Sequence, residues 1–196
     1  MTGAKTAMKV VVGVTGASGS LYAVSFLREL VRRGVETHVV CSTWGEKVLA
    51  YECGLDREAF PEVIWHAPDN MFSSLASGSC VSDHMVIIPC SMNTLSCLAH
   101  GISANLLQRV GGVMLKEKRN LVLVPRELPL SVIHLENMLC LARAGALLAP
   151  ACPAFYHRPQ SIQDLADHLV GRILGLMGME QDLFPPWQEP DSATLA

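Results

Sequence analysis

The stretch that decides the fold is residues 9–20, which read K-V-V-V-G-V-T-G-A-S-G-S. Its first half, Lys9–Val14, is apolar on both faces of an extended chain, as expected of a central strand in a parallel sheet. Its second half is rich in glycine and small residues, which suit a tight turn. A helix follows the turn, because Leu21, Val24, Leu27 and Val31 recur at helical spacing before Gly34 ends it.

The same alternation of apolar strands and helical patterns continues along the chain. Strands are predicted at residues 37–41, 85–89, 121–124 and 146–149, with a short one near 63–65, and a helix at 103–119. Thr43 with Glu46, and Ser161 with Asp164, have the spacing of capping boxes that begin helices. This order predicts an α/β protein with a three-layer, doubly wound, mostly parallel sheet of the Rossmann or flavodoxin-like kind, whose ligands lie beyond the strand carboxyl ends.

The organisation is that of a single domain. We expect an N-terminal extension over residues 1–8, the α/β domain over 9–178, and a C-terminal tail over 179–196, where proline, tryptophan and acidic residues accumulate. Residues 54–79 match no motif and are expected to form an irregular loop.

Charge and hydropathy limit the possible functions. The chain of 196 residues has 15 Lys and Arg against 18 Asp and Glu, a net charge of −3 that argues against nucleic-acid binding. Charged residues make up only 17% and hydrophobic residues 50%, which favours buried contacts between subunits of a homo-oligomer. The stretches without charge, 10–27 and 85–108, are interrupted by Gly, Ser, Asn or His, so we expect neither a membrane span nor a secretory signal.

The cysteines and histidines show no metal-binding spacing. There are seven cysteines, an odd number without a Cys-x-x-Cys pair, and most lie in apolar runs. We therefore expect reduced packing residues and a cytoplasmic protein. The seven histidines form neither His-x-x-x-His nor His-Glu-x-x-His, so no metal is expected.

Small hydroxyl side chains follow three of the predicted strands. They are Ser18 in the glycine turn, Ser42 after the second strand, and Ser91 with Thr94 after the third. The spacing is not the Gly-x-Gly-x-x-Gly of dinucleotide binders, no carboxylate ends the second strand, and no ATP-type phosphate loop is present. The pattern therefore favours a mononucleotide phosphate or a heteroaromatic ring over a dinucleotide.

The second half of the chain supplies cations. Lys116 lies in a basic cluster, Arg126 and Glu127 end the fourth strand, and Tyr156 follows the fifth. Arg172 falls at the edge of the apolar stripe predicted for the last helix, a place where an arginine normally has an anionic partner. From the spacing alone, that partner is either a phosphate or a structural carboxylate.

Five motifs together resemble the UbiX-type flavin prenyltransferases. They are V-G-V-T-G-A-S-G at 12–19, I-I-P-C-S-M-N-T-L-S at 87–96, L-K-E-K-R-N-L-V-L-V-P-R-E-L-P-L at 115–130, H-L-E-N-M at 134–138 and P-A-F-Y-H-R-P-Q-S at 153–161. The resemblance implies an enzyme that joins a dimethylallyl unit, taken from dimethylallyl phosphate, to N5 and C6 of reduced FMN. It further implies that prenylated FMN is passed to a UbiD-type decarboxylase, and that the active sites form at subunit contacts of a dodecamer without a metal.

The resemblance also implies roles for particular residues. The implied FMN-binding residues are Gly16, Ala17, Ser18, Ser42, Ser91, Met92, Asn93, Thr94 and Arg126, with Ser18 near flavin N5. The prenyl phosphate is implied to lie on Tyr156 and Arg172, assisted by Lys116 and Arg109, with Trp187 near the site. Glu52 and Glu127 match residues that handle protons in the family, so that Ser18, Glu52 and Glu127 are the candidate catalytic residues.

Two other functions remain open at this point. One is an FMN-dependent cysteine decarboxylase, which has the same fold but a Pro-x-Met-Asn-x-x-Met-Trp signature that is missing from this chain. The other is a non-catalytic FMN carrier subunit, which would not need Lys116, Tyr156 and Arg172. The sequence leaves undecided whether the donor is a monophosphate or a diphosphate, and whether the product serves ubiquinone synthesis or aromatic-acid degradation.

Overall fold

The computed structural model describes residues 8–189 and has a six-stranded sheet with helices on both faces. The strands are β1 (Lys9–Val14), β2 (Glu36–Cys41), β3 (Ile64–His66), β4 (His84–Cys90), β5 (Asn120–Pro125) and β6 (Leu147–Leu148). The helices are α1 (Ser20–Arg32), α2 (Thr43–Cys53), α3 (Met92–Ala99), α4 (Leu106–Lys116), α5 (Val132–Arg143) and α6 (Ile162–Leu176). Two short 3₁₀ turns, Arg57–Ala59 and Ser74–Ala76, lie in the segment predicted as an irregular loop.

All neighbouring strands are parallel, in the order β3-β2-β1-β4-β5-β6. In register, Val12 of β1 lies between Val39 of β2 and Val86 of β4. The strand order reverses between β1 and β4, which is where sheets of this class open a crevice at their carboxyl edge. The predicted doubly wound α/β fold is confirmed.

Alternating residues of each strand fill two separate apolar cores. Val10, Val12 and Val14 pack with α1, α2 and α6 on one face of the sheet. Val11 faces the opposite core, which contains residues of α3, α4 and α5. Since both faces are covered, polar ligands have access to the sheet only at its ends, and this three-layer arrangement limits where a site can form.

Helix boundaries differ from the prediction where the capping residue was misidentified. The N-cap of α2 is Ser42, whose side chain accepts a hydrogen bond from the backbone of Gly45, and not Thr43. The predicted helix 103–119 is shorter, because Asn105 caps α4 at its beginning. The capping box of Ser161 and Asp164 at the start of α6 is confirmed.

The apolar stripe predicted for α6 is wrong in part. Ile162 is 74% exposed, whereas Ala166, Val170 and Leu174 are fully buried. The buried face of α6 is therefore rotated about the helix axis relative to the predicted stripe. It packs on α1, and Arg172 lies on the exposed face. Arg172 therefore does not lie at the edge of a buried stripe, and within residues 8–189 it has no ion-pair partner.

The seven cysteines are all free. Burial raises the pKa of Cys41 and of Cys90 to about 12, so both remain neutral thiols inside the core. Between residues 8 and 189, no group of three or more His, Cys, Asp or Glu side chains is placed to hold a metal ion. None of the helices described has the length and apolar character that crossing a membrane requires.

The extension and the tail are described only in part. Met8 is half-buried against the first core, and residues 179–189 follow α6 without forming a helix or strand. Residues 1–7 and 190–196, which belong to the predicted extension and tail, lie outside the described part of the chain. The three predicted segment boundaries therefore stay a prediction.

Candidate active site

A cleft of about 590 Å³ opens at the carboxyl ends of β1, β2 and β4. It brings together five of the predicted site residues, Gly16, Ser42, Ser91, Asn93 and Thr94. Its other lining residues are Thr43, Trp44, Pro68, Asp69, Ala104, Asn105 and Gln108. The convergence expected of three strand ends is thus present in the structure.

Three helices begin at this cleft, each with a polar N-cap. Ser42 accepts a hydrogen bond from Gly45 N at 3.0 Å, Ser91 from Thr94 N at 3.3 Å, and Asn105 from Gln108 N at 2.9 Å. A helix N-terminus presents unpaired N–H groups and a partial positive charge. Three of them around one cleft make it suited to an anion such as a phosphate.

Thr15 joins the ends of β1 and β4. Its buried hydroxyl donates to the carbonyl of Pro89 at 2.7 Å and accepts from the backbone N–H of Ser91 at 2.8 Å. The two bonds hold the glycine turn and the start of α3 next to each other. Thr15 therefore determines the spacing between Gly16 and Ser91 across the cleft.

The glycine turn is packed closely against the start of α2. A Cβ atom at Gly16 would lie 2.6 Å from Cβ of Trp44, so only glycine fits there. Gly19 has a φ of 110°, in the left-handed region that favours glycine, and is the N-cap of α1 without a side chain to cap it. Ala17 is buried and Ser18 is exposed at the tip of the turn.

Glu52 supplies the missing cap of α1. Its Oε2 accepts hydrogen bonds from Gly19 N at 2.9 Å and from Ser20 N at 2.8 Å. Burial alone would raise the pKa of Glu52, but hydrogen bonds from Ser18, Ser20 and Gly19 outweigh it and hold the pKa below its usual value. Glu52 is therefore a structural anion beside the candidate flavin-contacting serine.

Arg126 links the end of β5 to the same turn. Its Nε donates to the backbone carbonyl of Ser18 at 3.0 Å, although the side chain is largely exposed. Glu127 is exposed as well, and its Oε1 accepts only from the backbone of Leu128, at 3.1 Å. Arg126 therefore contacts the turn, and neither residue is among those that line the cleft.

Tyr156, Arg172 and Trp187 meet in a second groove of about 420 Å³. The rings of Tyr156 and Trp187 are in edge-to-face contact, with centroids 5.3 Å apart. The groove lies on the outer side of α6, and it shares no lining residue with the cleft. Three of the five candidate substrate-binding residues are thus together, but separate from the candidate flavin site of the same chain.

Lys116 and Arg109 lie away from both cavities. Lys116 is the last residue of α4 and pairs with Glu117 at the amino-end edge of the sheet, about 16 Å along the helix from the cleft. Arg109 donates to the backbone carbonyl of Ala76 at 2.9 Å. Within one chain, neither side chain reaches the groove that contains Tyr156.

Sequence reasoning missed several residues of the cleft. Asn105 and Gln108 have the three-residue spacing of an N-cap pair, a signal that could have been found. Thr15 gave no local signal, because its partners are distant in sequence. Met92 is almost fully buried in the core, so its side chain does not line the cleft.

Comparisons with known proteins identify relatives of this chain. Residues 2–174 match the family model described as Flavoprotein. The flavin prenyltransferase UbiX of Methanocaldococcus jannaschii is 42% identical over 182 residues, which cover 92% of this chain and 98% of the relative.

Two solved structures are also similar. The crystal structure of AnUbiX in complex with FMN and dimethylallyl pyrophosphate has a TM-score of 0.91 and 41% identity, covering 94% of this chain and 100% of AnUbiX. The dodecameric FMN-dependent UbiX-like decarboxylase from Escherichia coli O157:H7 has a TM-score of 0.89 and 41% identity, covering 93% of this chain and all of the other.

The link made by Thr15 can be tested with Thr15→Val, which keeps the shape and removes the hydroxyl. One buried and one partly buried backbone group lose a hydrogen-bond partner, so we expect the free energy of unfolding in urea to fall by about 1–3 kcal/mol. Thr37→Val is the matched control, because the Thr37 hydroxyl makes a single bond, to Val35 O, near the opposite edge of the sheet. Equal losses in the two variants would contradict the bridging role.

The cap made by Glu52 predicts a pH dependence. Because the pKa of Glu52 is lower in the folded protein, the ionised carboxylate stabilises the fold above its unfolded pKa, and this contribution is lost as the pH falls. We expect wild type to be more stable than Glu52→Gln near pH 7, and the difference to shrink as the pH falls through the lowered pKa of the folded-state Glu52. Thermal unfolding at several pH values measures it, with Glu62→Gln at an exposed carboxylate as the control. A difference that persists at the lowest pH would exclude the charge as its cause.

Proposed function

The chain belongs to the UbiX family of flavin prenyltransferases, and from this membership we propose that it is a transferase that joins a dimethylallyl unit to N5 and C6 of reduced FMN. The donor is dimethylallyl phosphate and the product is prenylated FMN. The observation that carries the proposal is the presence of two sites on one chain, a hydroxyl-lined cleft at three helix N-termini and a groove that contains Tyr156 and Arg172.

The residues of the cleft fit an FMN molecule. A volume of about 590 Å³ lies within the range of pockets for small-molecule ligands. The N-termini of α2, α3 and α4 are placed to receive the phosphate, and the hydroxyls of Ser42, Ser91 and Thr94 to bond polar atoms of the ligand. Bound reduced FMN supplies the nucleophilic positions, N5 and C6, that accept the dimethylallyl unit.

The complete set of residues proposed to hold FMN follows the family motifs. It comprises Gly16, Ala17, Ser18, Ser42, Ser91, Met92, Asn93, Thr94 and Arg126. Met92 contributes its backbone, since its side chain is in the core. Arg126 keeps the carbonyl of Ser18 in place through their hydrogen bond, which orients the serine toward the ligand.

The groove is proposed to hold the donor phosphate. Breaking the allylic C–O bond leaves negative charge on the phosphate and positive charge on the five-carbon fragment. Arg172 and the Tyr156 hydroxyl stabilise the phosphate as it departs, and such electrostatic stabilisation is usually the largest single contribution to catalysis. The aromatic ring of Trp187 lines the groove beside Tyr156 and is proposed to limit the access of water to the fragment.

The reaction requires more than one copy of the chain. The cleft and the groove of one chain are separate, and Lys116 and Arg109 reach neither the groove nor a phosphate in it. We infer that each site combines the cleft of one chain with the groove, Lys116 and Arg109 supplied by neighbouring chains.

Exposed apolar side chains support such an assembly. Leu128 is 87% exposed, and Val132 and Ile133 on the first turn of α5 are also mostly exposed. Surface of this kind marks contacts between proteins. A relative with 41% identity is dodecameric, and we propose that this chain forms a homododecamer as well.

A proton must leave C6 of the flavin when the second bond forms. Glu127 is proposed as its acceptor, with the departing phosphate as an alternative base, because among residues 8–189 the Glu127 carboxylate accepts a single hydrogen bond, from its neighbour Leu128. Glu52, the second candidate catalytic residue, is proposed to act as a fixed charge on Ser18, and Ser18 is the third residue proposed to lie near the reacting atoms.

The prenylated product is expected to serve another enzyme. We propose that a UbiD-type decarboxylase in the cytoplasm receives it, in ubiquinone synthesis or in the degradation of aromatic acids. The cysteine decarboxylase alternative is disfavoured by identity of 41–42% to UbiX proteins over nearly the whole chain. A non-catalytic FMN carrier is disfavoured by the groove, since a carrier has no use for Tyr156 and Arg172.

Product formation tests the function directly. We expect anaerobic incubation with reduced FMN and dimethylallyl monophosphate to give a flavin whose extracted mass is larger by one dimethylallyl unit. Arg172→Ala should raise the KM for the donor about 10- to 100-fold, the value of a hydrogen bond to a charged group, with little change in FMN affinity. Arg28→Ala, at an exposed arginine of α1, is the control. Unmodified flavin in every reaction would refute the proposal.

The shared site can be tested with mixed assemblies. Glu127→Gln changes the residue after Arg126, which contacts the glycine turn beside the cleft, and Arg172→Ala alters the groove, so each variant alone should be slow. If each site takes its cleft and its groove from different chains, co-assembly in equal amounts restores about a quarter of the sites. Product formation by the mixed assembly measures this recovery. No recovery beyond the sum of the two variants would show that one chain supplies both parts.

A further inference from the structure

The segment that follows α6, residues 179–189, returns along the outside of α6 and α1 and is held at two points. At the first, Asp182 pairs with Nη2 of Arg32 at 2.8 Å and with Nη2 of Arg33 at 2.9 Å. Arg33 also donates to the carbonyl of Glu180 at 2.7 Å. Both arginines also donate hydrogen bonds to the buried carboxylate of Glu29, which holds their side chains in the orientation that pairs with Asp182.

The second anchor is a notch in α6. A Cβ atom at Gly171 would lie 2.6 Å from Cε1 of Phe184 and 2.9 Å from Oε1 of Gln181. The ring of Phe184 also packs on His168, with centroids 4.4 Å apart. The missing side chain at Gly171 therefore creates the space that Phe184 occupies.

The turn between the two anchors is braced by one side chain. Oε1 of Gln181 accepts hydrogen bonds from the backbone N–H groups of Leu183 and Phe184, at 3.0 and 3.2 Å. Nε2 of the same side chain donates to the carbonyl of Phe184 at 3.1 Å. The segment thus reaches the notch in a defined conformation.

Beyond Phe184, two prolines lead directly to Trp187. Their fixed φ angles make a stiff spacer, so the position of Phe184 determines that of Trp187. The Trp187 ring meets Tyr156 edge to face at 5.3 Å, and Tyr156 meets His168 in the same way at 5.7 Å. Tyr156 is therefore held between His168 and Trp187.

We propose that Asp182 and Phe184 are positioning residues for the Tyr156–Trp187 pair, and that through this pair they determine how well the groove binds its phosphate ester. The inference rests on the proposed function for the groove. Phe184 lines one side of the groove, whereas Asp182 lies outside it at the first anchor. Each acts by holding the segment, and loss of either anchor lets Trp187 move away from Tyr156.

The first experiment compares Asp182→Asn with Glu180→Gln. Both remove one negative charge from the segment, but only Asp182 forms ion pairs through its side chain in the described structure. We expect Asp182→Asn to raise the KM for dimethylallyl monophosphate about 2- to 10-fold, the effect of one less ordered side chain in a binding site. The kcat and the Kd for FMN should change less, and Glu180→Gln should resemble wild type.

The second experiment fills the notch. Gly171→Ala should displace Phe184, whereas Gly175→Ala, one turn further along α6, places its methyl where nothing lies within 4 Å. In a Trp44→Phe, Trp65→Phe background, Trp187 is the remaining tryptophan and its fluorescence anisotropy reports its mobility. We expect lower anisotropy in Gly171→Ala and in Asp182→Asn, and no change in Gly175→Ala. Phe184→Ala should lower it too, and adding Gly171→Ala to that variant should have no further effect.

The outcomes separate this inference from the function itself. Unchanged anisotropy in Gly171→Ala and Asp182→Asn would overturn the anchoring, and lower anisotropy with an unchanged donor KM would overturn its role in binding. A parallel loss of FMN and donor binding would indicate general loosening and would also overturn it. Because anisotropy is measured without substrates, it still decides the anchoring if wild type forms no prenylated flavin.

Discussion

The hydroxyl of Thr15 holds together the two strand ends on which the cleft depends. It satisfies the carbonyl of Pro89 near the end of β4 and the N–H of Ser91 at the start of α3, through one buried and one partly buried hydrogen bond. An unpaired group there would cost about 1–3 kcal/mol, so the glycine turn and Ser91 are fixed relative to each other. The remaining cleft follows from the fold, since a parallel sheet covered on both faces directs its helix N-termini to one edge.

Those parts of the fold and the cleft that depend on local sequence could be predicted. The apolar run of β1, the capping box at Ser161, and the serines after β2 and β4 are read from neighbouring residues, and the structure places them as expected. The position of Arg172 on α6 could not be predicted. The buried face of this helix is determined by its packing on α1 and on the segment 179–189 at Gly171, and both contacts join residues that are distant in sequence. Thr15 and Asp69 were not predicted for the same reason, since the residues near them in the folded chain are distant in sequence.

Separation of the two cavities explains the unusual surface of this chain. Tyr156 and Arg172 are held by α6 and the segment 179–189, while the proposed flavin cleft is built from the ends of β1, β2 and β4. Under the proposed function the reaction requires a neighbouring chain, and the same requirement would account for apolar side chains such as Leu128 and Ile133 that a monomer would leave in water. The separation of the cleft from the groove is thus our common explanation for the proposed shared site and for the exposed apolar surface.

Glu52 and Glu127 can be distinguished by what binds them. The Glu52 carboxylate accepts two backbone N–H groups of α1, and these bonds favour its charged form. A carboxyl group with a lowered pKa is a weak base and a poor proton donor near neutral pH. If it took up a proton, it would also weaken the cap of the helix that carries Ser20. Glu127 caps no helix in the described structure, and its carboxylate accepts one hydrogen bond, from the backbone of its neighbour Leu128. This difference is the reason for proposing Glu127 as the group that moves a proton and Glu52 as the fixed charge beside Ser18.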